Sequence, residues 1–266
     1  MDLGLRDRVY LVTGGSRGLG FAAAQALVAE GARVLLSAPH ETTAASAVAR
    51  LTQDATPGAV DWAVVDNADP AAPGQLITAA QQRFGRLDGA LISVGGSPGG
   101  TVAATADEAW RSAFESVFLG AVRLARVLAA TLAGERDDGS FSGTGGSIAF
   151  VLAASVRTPL PGLAISNGLF PGLAGVVKTL ADEHGPSGIR INGLLPVRVA
   201  TDRVRQLDAL LGDPDEVRAR LSRDIPLRRY GEPAEFGRAA AFVLSPAASY
   251  ITGAMIPIDG GAIRSI

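Results

Sequence analysis

The residues best suited to chemistry lie near the amino terminus. Thr13-Gly14-Gly15-Ser16-Arg17-Gly18-Leu19-Gly20 follows an apolar run, 8–13, and leads into an Ala-rich helical pattern, 19–30. Glycines let a chain turn tightly and let backbone N–H groups approach a phosphate at the positive end of the helix that follows. In this strand–turn–helix setting the turn reads as a seat for a dinucleotide's diphosphate. A plain structural turn is the competing reading. Gly14, Ser16, Arg17, Gly18, Leu19 and Gly20 are its candidate contacts. Other chemistries are bounded by composition. The 266 residues contain no cysteine, which excludes thiolate metal sites, disulfides and a Cys nucleophile. His40 and His184 are the only histidines, so a His-rich metal site is excluded and no metal is expected, although carboxylates could still hold a hard cation.

The elements that must position this turn alternate along the whole chain. Strands are predicted over 8–13, 33–37, 60–65, 87–93, 147–151, 190–195 and 255–258. Helices are predicted over 19–30, 42–51, 71–84, 107–132, 168–184 and 233–244. Continuous apolar strands separated by helices imply a parallel sheet covered on both faces, and right-handed crossovers make it doubly wound. The expected fold class is therefore α/β: one Rossmann-type domain over 1–266, without repeat or linker. Residues 134–146, Gly/Ser-rich and polar, read as a flexible surface loop. Residues 200–229, charged and broken at Gly212-Asp213-Pro214, read as one or two helices forming a lid.

Hydrophobic residues make up 47% and charged residues 19%, which suits a large core and excludes a disordered chain. Lys plus Arg number 24 and Asp plus Glu 26, a net charge of −2, so no general basic field is present for nucleic acid or an anionic membrane. No run of 18 uninterrupted apolar residues and no signal-peptide pattern is evident. The expected setting is cytoplasmic.

The spacing Gly14-x-x-x-Gly18-x-Gly20 resembles that of the short-chain dehydrogenase/reductase family, particularly its 3-oxoacyl-carrier-protein reductase branch. Further matches follow in order along nearly the whole chain. Asp66, with Asn67 beside it, resembles the family's adenine-contacting Asp; an N-cap or turn Asp is the other reading. Gly95-Gly96 stands where the family carries Asn-Asn-Ala-Gly over the adenosine ribose. Pro196-Val197-Arg198-Val199-Ala200-Thr201 resembles the nicotinamide-contacting Pro-Gly-x-x-x-Thr, with Pro196, Val199 and Thr201 as contacts and Val197 in place of Gly. Residues 251–261 resemble the family's carboxyl-terminal strand and tail. After the second strand an NAD site needs a carboxylate for the ribose 2′-hydroxyl. Ala38 stands there, and Arg17 can reach a 2′-phosphate, so NADP is the expected cofactor and NAD the alternative. His40 reads as an exposed turn residue.

The resemblance also locates four chemical positions. The family uses a Tyr as proton donor, a Lys four residues later, an upstream Ser and an Asn on the long helix. Counting back from 175–192, these fall on Ser166, Phe170, Ala153 and Val117. None matches, and no Tyr lies between Tyr10 and Tyr230. Ile165-Ser166-Asn167 and Ser155-Val156-Arg157 resemble a variant seen in some relatives. Ser155, Ser166 and Asn167 are therefore candidate catalytic residues. Ser166 and Asn167 are also good N-caps, and Pro171 suits a helix that begins shortly before it. Arg157 reads as a solvated loop charge. Lys178, about 12 Å along the helix from Phe170, is too far to replace the Lys and reads, like His184, as a surface residue.

Three functions follow as expectations. The first is an NAD(P)-dependent oxidoreductase with a divergent active site, reducing a carbonyl or activated enone. The second is a cofactor-binding regulatory or structural subunit without redox turnover. The third is a non-redox lyase or cyclase. The partner is a small-molecule substrate, not nucleic acid or membrane. The resemblance implies a homo-oligomer, dimer or tetramer, through the long helices and the carboxyl-terminal sheet edge. The arginines within 200–229 alternate with acids and read as a solvated face.

Overall fold

A computed structural model describes residues 1–53, 56–96, 98–133 and 145–265. Seven strands form one parallel sheet: β1 (Val9–Val12), β2 (Arg33–Ala38), β3 (Val60–Val64), β4 (Gly89–Ser93), β5 (Gly146–Val151), β6 (Ile189–Pro196) and β7 (Met255–Ile258). Their order is β3-β2-β1-β4-β5-β6-β7, the doubly wound α/β arrangement expected. Successive residues point to opposite faces, and the core divides accordingly. Leu11, Leu35, Ile92, Ile148 and Phe150 pack under α3 (Ala72–Phe84), α5 (Gly120–Ala133) and α6 (Ala164–His184). Tyr10, Val12, Val34, Leu36 and Leu91 pack under α1 (Gly18–Ala29), α2 (Glu41–Leu51) and α9 (Pro233–Leu244). Among the described residues, every buried side-chain nitrogen and oxygen has a hydrogen-bond partner.

Two helices depart from expectation. The run predicted over 107–132 is α4 (Asp107–Ala113), a π-helical segment (Phe114–Leu119) and then α5. By length and hydropathy alone, Asp107–Ala133 could cross a membrane; half of that apolar window is buried in the protein. The helix predicted to start at 168 starts at Ala164, so Ser166 and Asn167 are not its caps and Pro171 lies inside it. An interior proline costs about 3 kcal/mol. Burial of Ile165, Leu169, Phe170 and Leu173 offsets that cost. Other boundaries agree within two residues. The loop predicted over 134–146 lies outside the described residues except for Gly145 and Gly146. The segment 200–229 forms two helices, α7 (Asp202–Ala209) and α8 (Pro214–Ser222).

The carboxyl end of α9 is held from the sheet. Arg190 donates to the carbonyls of Val243 (2.8 Å) and Ser245 (2.9 Å), which places a cation at the negative end of the helix. Tyr10 donates its hydroxyl to the Leu244 carbonyl at 3.2 Å, and burial pushes its pKa up to about 12 from 10. Folding thus favours the neutral phenol. This stabilisation is complete below pH 10 and is lost as pH rises through 10 to 12. The urea midpoint of the protein should fall across that window more steeply than that of Tyr10→Phe. Parallel pH curves for the two would overturn this assignment.

Candidate functional site

The strand order reverses between β1 and β4, and a cleft of ≈ 730 Å³ opens at the carboxyl ends of the strands there. Thr13 ties the two strands at the opening: its hydroxyl donates to the Ser93 carbonyl (3.0 Å) and accepts from the Ser93 N–H (2.9 Å). The glycine turn rises from this tie. At Gly14, which has a φ of +58°, a Cβ would lie 2.8 Å from the Ser93 oxygen. At Gly20 it would lie 2.4 Å from the Gly14 oxygen. These glycines let the turn fold onto itself. Gly18 differs: its φ is +57°, but the nearest atom to an added Cβ is Thr201 Cγ2 at 3.9 Å, across the cleft. Arg17 precedes α1 in extended conformation with no side-chain cap on the helix. The N–H groups of the first turn therefore lack intrahelical partners and carry about half a positive charge at the cleft wall.

Most of the expected dinucleotide contacts line this space. Gly14, Ser16, Arg17, Gly18 and Leu19 do so from the turn; Gly20 does not, being the glycine on which the turn packs. Asp66, Asn67, Gly95 and Gly96 line one end. Asp66 also accepts from the Ala68 N–H at 2.9 Å, so the turn reading of this residue holds as well. Ser37, Ala38 and Pro39 line the cleft beside the glycine turn, where the Gly15 N–H donates to the Ser37 carbonyl at 3.2 Å, and bring no carboxylate. His40 is exposed and starts α2. Pro196, Val199 and Thr201 line the opposite lip, and Thr201 caps α7 by accepting from the Val204 N–H.

α7 closes one side of the cleft and is pinned at its far end. Asp208, 2% exposed, accepts from Arg198 and from the Tyr230 hydroxyl, the latter at 3.0 Å. Arg198 sits at φ +50°, a strained conformation for a residue with a side chain. The Arg218 guanidinium lies 5.3 Å from the centre of the Tyr230 ring. Burial is the main cause raising the Tyr230 pKa. From the first turn of α7, Arg203 reaches across to Gly96, where an added Cβ would meet its Nε at 2.8 Å.

Of the three candidate catalytic residues, only Ser166 lines the cleft. Ser155 is buried behind it and donates to the Ser166 carbonyl at 3.3 Å. Asn167 serves the neighbouring loop, accepting from the Leu160 N–H (2.9 Å) and donating to the Leu160 carbonyl (2.8 Å). Val117, Ala153 and Phe170 line the cleft together with Ser166. Sequence reasoning missed Ser112 and Ser116, which also line it; Ser116 donates to the Ser112 carbonyl at 2.8 Å. Their i, i+4 spacing, which places both on one helix face, was the available signal. Arg157 is exposed, as expected of a loop charge; Lys178 is 62% exposed and lies 4.0 Å from Asp182. Among the described residues, no group of three His, Asp or Glu could hold a metal ion.

Residues 14–262 match the family described as enoyl-(acyl carrier protein) reductase. The levodione reductase of Leifsonia aquatica is 35% identical over 96% of this chain and 94% of its own length. A 3-oxoacyl-[acyl-carrier-protein] reductase of Synechocystis sp. is 30% identical over 97% of this chain and 98% of its own. The crystal structure of L-sorbose reductase from Gluconobacter frateurii, complexed with NADPH and L-sorbose, superposes with a TM-score of 0.89 at 27% identity, covering 100% of both chains.

Proposed function

The chain belongs to the short-chain dehydrogenase/reductase family, and from that premise we propose that it is an NADP(H)-dependent oxidoreductase with a divergent active site, acting on a carbonyl or activated enone. One observation carries the cofactor reading: the glycine turn is closed by backbone at Gly14 and Gly20 yet open to the cleft at Gly18. That combination fits a diphosphate held by backbone N–H groups at the start of α1. Arg17, in the glycine turn, offers a cation to a 2′-phosphate, and Ser37-Ala38-Pro39, which meets that turn through Gly15, brings no repelling carboxylate. The NADPH in the L-sorbose reductase structure, at 27% identity, supports the same choice.

The bound cofactor supplies a hydride; the protein must supply orientation and a proton. The resemblance places the family's Asn, Ser, Tyr and Lys at Val117, Ala153, Ser166 and Phe170. The convergence of these four on one cleft supports that alignment. Only Ser166 retains a proton to give. A serine hydroxyl is a far weaker acid than a phenol activated by a lysine, and losing general acid catalysis costs about 3–5 kcal/mol of barrier. A substrate that delocalises its developing charge, such as an enone or quinone, needs that acid least. α7, whose Asp202, Arg203, Val204, Gln206 and Leu207 line the cleft, supports the reading of 200–229 as a lid; α8 lines none of it. A second reading, cofactor binding without turnover, is favoured by the apolar wall that Phe170, 8% exposed, presents where the family's lysine would stand.

Titration with NADPH and NADH, followed by 4-deuterated NADPH with a panel of enones and quinones, tests both. NADPH should bind about tenfold or more tightly than NADH, and one face of the cofactor should deliver deuterium to product. Tight NADPH binding with no deuterium transfer to any acceptor would replace the enzyme reading by the second. No NADPH binding would overturn both.

A further inference from the structure

The cleft changes character along its length. Its charged lining residues are Arg17, Asp66, Arg198, Asp202 and Arg203. Arg17 and Asp66 flank the glycine turn and the end of β3, Arg203 packs on Gly96, and Arg198 is committed to Asp208. The part around Ser166 is lined by Ala113, Val117, Leu152, Ala153, Leu163 and Phe170. The hydroxyls of Ser112, Ser116 and Ser166 line the cleft beside them, and Thr201 and Gln206 line it from the α7 side.

The rim continues this apolar surface. Three segments meet there. Gly100 donates to the Gly162 carbonyl at 2.7 Å, and Ala164 donates to the Gly100 carbonyl at 3.1 Å, which joins the segment after β4 to the start of α6. Leu210, at the end of α7, covers the joint: an added Cβ on Gly99 would lie 3.6 Å from the Gly162 oxygen and 3.9 Å from Leu210 Cδ1. Pro98, Leu163 and Leu207, beside these contacts, line the cleft. Leu210 and Val102 are 74% and 73% exposed, and Leu211 is 56% exposed. Leu210, exposed beside the cleft-lining Pro98, Leu163 and Leu207, extends their apolar surface outward, where a ligand's hydrocarbon can cover it. Three exposed cations of the surrounding surface are paired: Arg205 with Asp215 at 3.0 Å, Arg218 with Glu232 at 3.5 Å, and Arg111 with Glu108 at 2.8 Å.

We propose that the substrate is a neutral, apolar carbonyl compound, with no carboxylate or phosphate, whose hydrocarbon part lies between Leu163, Phe170 and the Leu207–Leu210 rim. This rests on reading the cleft as a joint cofactor and substrate site. An anionic group placed between Leu163 and Phe170 would lose its hydration, while the cleft's cations on this side, Arg198 and Arg203, lie on Asp208 and against Gly96, a penalty that hydrocarbon contact does not offset.

Calorimetric titration of 1-tetralone and its ring-carboxylated analogue, each with and without saturating NADPH, tests the proposal. The neutral ketone should bind about tenfold or more tightly than the anion. Leu210→Lys, at an exposed position that folding tolerates, should narrow the gap by about two- to fivefold by strengthening the anion. Equal affinities, a preference for the anion, or no binding of either compound at millimolar concentration would overturn the proposal. The measurement without NADPH keeps it distinct from the cofactor reading. Failure of NADPH to bind, with the neutral ketone still preferred, overturns that reading and leaves the apolar site standing.

Discussion

Substitution of Gly20 by alanine is expected to lower the melting temperature by roughly 6–12 °C, whereas Gly18→Ala, two residues away, weakens cofactor binding about ten- to hundredfold at a smaller cost in stability. On the observed backbone a Cβ at position 20 lies 2.4 Å from the Gly14 oxygen, 2.9 Å from the Gly14 carbon and 3.2 Å from Gly15 Cα. All three are backbone atoms of the turn, so no rotamer change relieves the clash. Helix α1 cannot withdraw either. Its Ala23, Ala24 and Leu27 are fully buried, and on its other side Gly237 of α9 lies so close that a Cβ there would meet the Ala22 oxygen at 2.3 Å. Overpacking against a fixed backbone costs about 3 kcal/mol, a large part of a domain's total stability. At Gly18 the positive φ costs alanine about 1–2 kcal/mol, but the methyl meets no protein atom closer than 3.9 Å. It would stand instead where a diphosphate must approach the α1 N–H groups. Losing one such charge-assisted bond weakens NADPH about ten- to hundredfold. Thermal melts and NADPH titrations of both variants separate the two roles. Wild-type melting of Gly20→Ala, or wild-type NADPH affinity of Gly18→Ala, would show that the turn does not serve this purpose.

That contrast explains why the turn was legible in the sequence. Glycine was required by backbone geometry that a strand–turn–helix imposes locally, so residue type and spacing sufficed. The sheet was legible for a similar reason: strands covered on both faces are continuously apolar, and the helices between them carry their own period. What escaped notice depends on contacts distant in sequence. The start of α6 was hidden because Pro171 argues locally for a later start, while burial of Ile165, Leu169 and Phe170 outweighs it. Nothing in Phe114–Leu119 distinguishes a π-helical segment from the α-helix on either side. Asp208 meets Tyr230 across 22 residues, and no spacing rule joins them. The proton-handling positions were legible only through family resemblance. Residue type alone made Ser155, Ser166 and Asn167 look alike, but burial and local hydrogen bonds leave Ser166 alone on the cleft.

The same placement makes the proposed loss of acid catalysis reversible. Ser166→Tyr combined with Phe170→Lys is expected to raise the NADPH-dependent reduction of an unactivated ketone by about 10²–10⁴-fold. Positions 166 and 170 are four residues apart on α6, so their side chains share a face, and both line the cleft. A tyrosine alone should add little, because its phenol would titrate near the ordinary value of about 10 and bind no ribose partner. A lysine stem at 170 can follow the apolar wall that Phe170 now covers and extend its ammonium into the cleft. The ammonium favours the phenolate and brings the phenol closer to neutrality, where it gives up its proton more readily. The double variant should then show a rate that falls as pH rises through the new tyrosine pKa, a limb that neither single variant has. Reduction of an activated enone should change much less, because its charge is delocalised without an acid. A double variant that still binds NADPH and keeps its melting temperature, yet reduces ketones no faster than the parent, would sink the alignment of these positions. The search for the proton source would then move to Ser112 and Ser116, the other hydroxyls on the cleft wall beside Val117.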